Sequence, residues 1–504
     1  MKEELGTVIS TFEGPSTNKF SFVLNSNAVR KGQFIQVDTE DGLLIGNVSD
    51  ITRANRYFER AESVAEYERN GASIIQNFPT TDWEYTIANC RALGVYKDSV
   101  LIRSTFPPSP GSKVVAADES LLVEFLGLEG KGLKIGSLQS HSVTAGINMN
   151  RLLQKHFAIL AMSGAGKSYS ASVILEELLS RAPEQGRPAI IVLDVHGEYL
   201  GFAEGAGGFR SQTRIIDGKK IRIGLPGVSP YMLAHLLPEL SGPQKRELTR
   251  LMNELRYQKK KAHEPYDLAD LLQHVEDSDL KDNTKGTLLS WLDQLKQQRL
   301  FAKSTYPTRS DLAQPGKLAI LDLSEIDSQR KKVMIAYYFA EKLFSARKKG
   351  KIPPFLLLVE ESHNFAPEKV SRKDALAKGV IERIAREGRK FGASLALITQ
   401  RPVRLSTTAL SQCNTHMIMR VTNPYDIKHI GESCEGVDQS MLQSITTLRT
   451  GEALLIGEAV NYPVFLKVRK RRSHKSSKGE SIEQLARKFE EAKAKREQDV
   501  EAFL

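Results

Sequence analysis

The stretch His156-Phe157-Ala158-Ile159-Leu160-Ala161-Met162-Ser163-Gly164-Ala165-Gly166-Lys167-Ser168-Tyr169-Ser170-Ala171 decides how the chain is read. Phe157 to Met162 is an apolar run that reads as a buried strand. Ser163 to Gly166 is a loop of small residues, and a helical pattern runs from Lys167 through Ser180. This is the strand–loop–helix context of a phosphate-binding loop. Small residues let the loop curl so that backbone N–H groups point inward at phosphate oxygens, and the helix N-terminus adds its positive dipole end. Ser163, Gly164, Ala165, Gly166 and Tyr169 become nucleotide contacts, Lys167 reaches the β- and γ-phosphates, and the Ser168 hydroxyl holds Mg²⁺. The usual pattern wants Gly at 161, where this chain has Ala161. That change is expected to alter loop stiffness rather than chemistry. A glycine-rich turn that merely precedes Lys-Ser is the bland alternative, and the flanking strand and helix argue against it.

A second landmark lies downstream. Phe355-Leu356-Leu357-Leu358-Val359 runs into Glu360-Glu361-Ser362-His363-Asn364. An apolar strand that ends in two carboxylates is a Walker B pattern. Glu360 would position Mg²⁺ through its water shell, and Glu361 would polarise the attacking water as general base. The basic helix Ile381 to Lys390 leads through Phe391-Gly392 into the strand Ala393 to Thr399, which ends in Gln400-Arg401-Pro402. Gln400 at that strand end suits a γ-phosphate sensor. Arg386 and Arg389 are arginine-finger candidates, with solvated helix charge as the alternative. A third strand, Ala189 to Leu193, exits into Asp194-Val195-His196-Gly197-Glu198-Tyr199, where open α/β sheets place their active sites. A capped loop is the alternative there.

The rest of the chain falls around this core. Residues 1–140 show short alternating runs at Thr7–Ser10, Phe20–Leu24, Phe34–Val37 and Leu43–Val48, separated by turn signals. Strand patterns return at Tyr85–Tyr96 and Val114–Val115, with a helical excursion within Arg53 to Pro79. Even spacing of short strands predicts a small all-β barrel or sandwich, a docking or assembly domain without catalytic spacing. Residues 141–472 then form an α/β core. Within about 226–312 helical periodicity takes over, at Tyr231–Leu237, Pro243–Arg256, Tyr266–Val275 and Lys285–Leu295. The strand pair His416–Val421 and Ala453–Ile456 closes the core, and Lys467 to Arg472 is a dense basic run. Residues 473–504 are a polar linker and a charged helix with a weak apolar stripe at Ile482, Leu485, Phe489 and Ala492.

The totals narrow the classes. A chain of 504 residues holds two or three domains, and 40% hydrophobic residues make it globular. A net charge of +11 suits a polyanion such as nucleic acid or an acidic membrane surface. Three scattered cysteines, Cys90, Cys413 and Cys434, fit a reducing cytosol and neither a disulfide framework nor a zinc site. No stretch approaches the ~20 apolar residues of a membrane span, so a cytoplasmic protein without its own membrane anchor is expected.

Taken as an ordered set, these motifs resemble the HerA branch of the HerA–FtsK ATPases. The resemblance rests on the barrel-like N-terminus, Gly166-Lys167-Ser168, Asp194 to Tyr199, Glu360 to Phe365, and Arg386 to Gly392 leading to Gln400-Arg401-Pro402. It implies a RecA-like P-loop motor with an N-terminal HAS-type barrel crown, assembled as a homo-hexameric ring. It further implies an ATP- and Mg²⁺-dependent translocase or helicase on double-stranded DNA. Such a motor would work with a NurA-type nuclease, and with other end-resection proteins, in double-strand break repair. By the same resemblance Glu361 is the base, Gln400 a sensor and Arg386 the leading arginine of its helix. Arg151 and Asp194 join the nucleotide contacts, and the tail after Lys467 reaches a neighbouring subunit's nucleotide. Two other readings stay open: a ring ATPase that moves protein in a secretion or conjugation system, and a non-catalytic scaffold that loads a nuclease.

Overall fold

The computed structural model describes residues 4–10, 14–69, 75, 80–97, 100–204, 208–370, 375–476 and 482–501. Seven strands open the chain: β1 (Glu4–Ile9), β2 (Lys19–Leu24), β3 (Phe34–Thr39), β4 (Gly42–Asn55), β5 (Glu84–Lys97), β6 (Val100–Ile102) and β7 (Lys113–Ala116). They pair in the order β2-β1-β7-β3-β4-β5-β6, and β2 also pairs with β5. That last pairing closes six of the strands into a barrel, leaving β6 as a flap on β5, and closure removes exposed edges. Alternate residues point inward and form its core: Phe20 and Phe22 on β2, Ile35 and Val37 on β3, Leu44 and Val48 on β4.

Among the described residues, two helices of more than one turn interrupt this part of the chain. One, α1 (Ala61–Arg69), lies within the expected excursion, whose residues 70–74 and 76–79 fall outside the described set. The other, α2 (Glu119–Phe125), departs from the all-β expectation. Asp118 caps it by accepting the N–H groups of Ser120 and Leu121 and so starts a helix between strand-rich neighbours. Strands β8 (Leu133–Leu138) and β9 (Thr144–Ile147) follow and pair antiparallel.

The compact units do not follow the linear divisions at 140 and 472. Residues 1–148, 436–444 and 452–468 form one unit, and 149–435, 445–451 and 469–504 form the other. In the first, the later strands Glu452–Gly457 and Val464–Val468 pair antiparallel, and the second of them pairs with β8. Lys467 and Val468, read from sequence as part of a basic run, thus belong to a strand.

The second unit is built on a parallel sheet. Its strands are β10 (Phe157–Leu160), β11 (Ala189–Asp194), β12 (Thr213–Asp217), β15 (Leu318–Asp322), β16 (Phe355–Val359), β17 (Ala393–Thr399) and β18 (Thr415–Ile418), with the two-residue pair β13 (Ile223–Gly224) and β14 (Phe301–Ala302) outside it. The order is β12-β15-β11-β16-β17-β10-β18. Strands β10, β11, β16 and β17 are buried along their whole length, as expected where helices cover both faces. Strand β17 lies between the strand before the phosphate-loop sequence and the strand before the paired glutamates. Leu160 therefore lies opposite Thr399, and Val359 opposite Leu397.

Helices pack around the sheet: α3 (Met149–Leu153), α4 (Lys167–Leu179), and later α10 (Gln329–Lys348) and α11 (Lys378–Phe391). Between them the helical stretch supplies α5 (Pro230–Leu236), α6 (Gly242–Lys261), α7 (Leu268–Glu276), α8 (Asp282–Gln297) and the short α9 (Arg309–Leu312). Ser241 and Asp267 cap α6 and α7 through reciprocal bonds with Gln244 and Asp270, which fixes where each helix starts. The C-terminal helix Ile482–Glu501 leaves Ile482 and Phe489 strongly exposed, so its apolar stripe faces solvent. Among the described residues, no helix is long and apolar enough to cross a membrane.

His156 joins three of these elements. Its Nε2 lies 3.0 Å from the carbonyl oxygen of Ala385 on α11, and its Nδ1 accepts the N–H of Leu395 on β17 at 2.9 Å. Nε2 therefore carries the proton, and Nδ1 cannot take a second one without losing its bond. Burial pushes the imidazole down to about 4 from its ordinary 6.5, while hydrogen bonds to the Ala385 and Ile384 carbonyls oppose this only partly. Protonation thus favours the unfolded chain. Above pH 6.5 both states are neutral and the residue adds no pH dependence. Between pH 6.5 and 4 the unfolded chain binds the extra proton, and stability falls by about 1.4 kcal/mol per pH unit from this residue. Replacement by the non-titrating Gln should flatten the pH dependence of the denaturant midpoint over that window, whatever it does to stability at neutral pH. Parallel profiles for the two proteins would contradict this.

Candidate functional site

The site gathers where β10, β17, β16 and β11 end side by side. After β10, Ala161 stays buried and its N–H donates to the Thr399 carbonyl at 3.3 Å, extending the ladder one residue. The loop then turns through Gly164 (φ 77°) and Gly166 (φ 104°), left-handed positions that suit glycine. Ser163 and Gly164 form its exposed lip, and Ala165 is buried beneath. Helix α4 begins at Lys167, directly after Gly166. Its first-turn N–H groups have no partner within the helix, which makes this end a ready anion site.

Lys167 is buried although charged. Its Nζ lies 3.1 Å from Oε1 of Glu361, with only 9% and 2% of the two side chains exposed. A lone ammonium at such depth would be strongly disfavoured, and the carboxylate supplies its counter-charge. Among the described residues, the second oxygen of Glu361 has no hydrogen-bond partner. Glu361 also sits at φ 46°, a left-handed conformation that a side chain this size rarely adopts, immediately before the short turn Ser362–Asn364.

Glu360 is fully buried. One carboxylate oxygen takes the Ser168 hydroxyl at 3.4 Å, and the other accepts the N–H of Val195 at 3.2 Å. Burial and the neighbouring Asp194 and Glu198 charges push its pKa well up, and Lys167 opposes them. Asp194 is equally buried, and burial raises it too. However, its carboxylate accepts backbone N–H groups of His196 (3.3 Å), Gly197 (2.7 Å), Glu198 (3.1 Å) and Tyr199 (3.0 Å). Those four bonds favour charge on Asp194 and oppose the upward push of burial there. Expected as a nucleotide contact, Asp194 uses its acceptors to shape its own loop.

That loop borders a cavity of about 440 Å³ lined by Ser168, Tyr169, His196, Glu198 and Arg471. Arg471 belongs to a segment whose docking no sequence pattern revealed. Glu176, fully buried on α4, accepts Nη1 of Arg469 (2.7 Å), the N–H groups of Arg472 (2.8 Å) and Ser473 (2.7 Å), and the Ser473 hydroxyl (2.8 Å). Glu177 takes Arg469 and Arg472 as well, and the Arg471 N–H donates to the Tyr169 hydroxyl at 2.6 Å. The basic run thus lies along the phosphate-loop helix of its own chain. The available signal was a pair of acids inside the apolar run Val173 to Leu179.

The remaining expected residues lie further out. Gln400 directly follows β17, half-buried, between the strands that carry Lys167 and Glu361. Arg386 and Arg389 lie exposed on α11, and Arg386 is 3.9 Å from Glu382 one turn away. Arg151 is half-buried on α3. Lys369 and Val370 line a separate cavity of about 920 Å³. Lys378 donates to the Glu368 carbonyl at 2.9 Å. Ser168 Oγ beside Glu360 is a donor set that suits a hydrated divalent cation.

Comparison with known proteins accords with this arrangement. Residues 133–343 match the family model described as Helicase HerA, central domain. The chain is 28% identical to the DNA double-strand break repair helicase HerA of Pyrococcus furiosus, over 90% of each chain. It is 27% identical to a probable helicase of Methanocaldococcus jannaschii, over 89% of this chain and 88% of that one. Among solved structures, VirB4 of Thermoanaerobacter pseudethanolicus superposes with a TM-score of 0.53 at 14% identity, covering 68% of this chain and 97% of that one. The fold is therefore that of the α/β P-loop ATPases, and the chain is similar to HerA-type helicases along nine-tenths of its length.

Proposed function

We propose that this chain is an ATP-driven DNA motor: a HerA-type translocase or helicase that acts as a cytoplasmic homo-hexameric ring in DNA end resection, with a NurA-type nuclease as partner. The observation that carries the reading is the convergence of Lys167 and Ser168, which follow β10, with Glu360 and Glu361, which follow β16, on either side of β17. The Pyrococcus relative is named a DNA double-strand break repair helicase, and the Methanocaldococcus relative a probable helicase. The net charge of +11 suits a nucleic-acid partner. The nuclease and the ring rest on the family resemblance.

In this reading residues 1–140 serve docking and assembly, 141–472 the motor, and 473–504 a linker and helix. The loop Ser163 to Gly166 and the first turn of α4, through Tyr169, wrap the nucleotide phosphates. Lys167 exchanges its contact with Glu361 for the β- and γ-phosphates. Glu361, released from the ammonium, accepts a proton from the attacking water. Mg²⁺, held by Ser168 and through water by Glu360, supplies charge neutralisation on the phosphates when bound. Gln400 orients the water or senses the γ-phosphate. Arg386, with Arg389, projects from an exposed helix face and so suits a site completed on a neighbouring subunit. Arg151 adds a nucleotide contact, and Asp194 holds the loop that borders the cavity.

Double-stranded DNA should stimulate ATP hydrolysis; a rate unmoved by any DNA would overturn the motor reading and favour transport of protein. Lys167→Ala should abolish hydrolysis. Glu361→Gln should bind nucleotide but turn over about 10²–10⁴-fold more slowly. If Glu361→Gln supported full resection with the nuclease, the scaffold reading would replace this one. Arg386→Ala should cut turnover by about 10³-fold or more while leaving nucleotide affinity intact. Mixing it with Lys167→Ala chains should restore activity in part, because each supplies what the other lacks. DNA affinity should fall linearly with log salt, with a slope of about −0.9 per phosphate contacted.

A further inference from the structure

The loop that carries Glu361 is tied to one neighbouring strand by consecutive side chains. The Ser362 hydroxyl donates to the Ile398 carbonyl at 3.1 Å. His363 Nδ1 lies 2.9 Å from the Thr399 hydroxyl and 3.4 Å from Oε2 of Glu361. That carboxylate oxygen is the one left without a hydrogen bond. Thr399 Oγ1 in turn accepts the N–H of Arg401, and Gln400 lies between the two. One imidazole nitrogen thus stands between the carboxylate at the end of β16 and the hydroxyl at the end of β17. Burial holds the ring below its ordinary pKa, aided by Arg401, Arg404 and Lys167 and opposed by Glu361, so it is neutral at physiological pH.

Nothing else among these contacts fixes the direction of the Glu361 carboxylate once Lys167 turns to phosphate. The strained backbone at Glu361 sets where the side chain starts, and a flexible glutamate still needs a partner at its far end. We propose that His363 is a positioning residue: through Nδ1 it couples the carboxylate of Glu361 to Thr399, so the aim of the base follows the strand end that carries Gln400. This deepens the ATPase reading and rests on it. The ring touches neither nucleotide nor attacking water; it acts through Glu361.

The test is steady-state ATP hydrolysis by the full chain with DNA present, alongside nucleotide affinity and thermal melting. His363→Ala should lower kcat by about 10²-fold, the scale of a misaimed catalytic group. KM, nucleotide affinity and melting temperature should stay near wild type. Asn places an amide near the position of Nδ1 and should restore most of the rate, whereas Gln reaches toward the position of Nε2 and should not. Thr399→Val should show a similar loss, and the double variant should be no slower than the worse single one, because both remove one link. The proposal is overturned if His363→Ala keeps wild-type kcat, if its loss follows lost nucleotide binding or folding, if Gln rescues as well as Asn, or if the two losses multiply. Absence of hydrolysis by the wild-type chain would remove the ATPase reading and this one together. Normal wild-type turnover with an unaffected His363→Ala would remove this one alone.

Discussion

Charge buried without water is the constraint on which this structure depends. Lys167, Glu361, Glu360 and Asp194 all lie at strand ends where almost no solvent reaches them. In such a setting an unpartnered charge is costly, so each must find a counter-charge, a set of N–H donors or a proton. The four groups solve this in different ways. Lys167 and Glu361 pair with each other, Asp194 takes four backbone N–H bonds, and Glu360 accepts the Ser168 hydroxyl and the Val195 N–H. Only the parallel sheet permits this arrangement. With β17 inserted between β10 and β16, groups from distant parts of the sequence share one edge, and the sheet holds their backbones fixed.

The same constraint explains why the site is poised rather than inert. Lys167 and Glu361 pair with each other, and among the described residues one oxygen of Glu361 has no hydrogen bond. A phosphate arriving at the loop offers the ammonium a stronger partner and leaves the carboxylate free. Asp194, by contrast, is bound at both oxygens, and the loop it holds is correspondingly well defined.

Legibility in the sequence tracked the distance between interacting residues. The phosphate loop, the paired glutamates and the helices of the insertion could be read because each is defined within a few residues of spacing. The core strands were visible as apolar runs. Helix α2 escaped because its one signal, the cap at Asp118, is short and sits among strand patterns. The pairing of His363 with Thr399 joins positions 36 apart, and the bonds of Glu176 to the basic segment join positions 293 apart or more. Nothing local marks either partner. A lysine in the alternating run Val464 to Val468 read as the start of a basic tail, although the alternation itself is what a strand requires.

The basic segment that clasps α4 follows a strand that belongs to the first unit. The chain crosses between its two units after residues 148, 435, 444, 451 and 468. The barrel is therefore not a bead on a string. Removing the first 148 residues would leave two orphaned pieces of its unit still threaded into the motor sequence, one of them ending where the clasp begins. Neither unit is a self-contained module that could be gained, lost or exchanged by a single cut, and whatever acts on one must be expressed, folded and inherited together with the other.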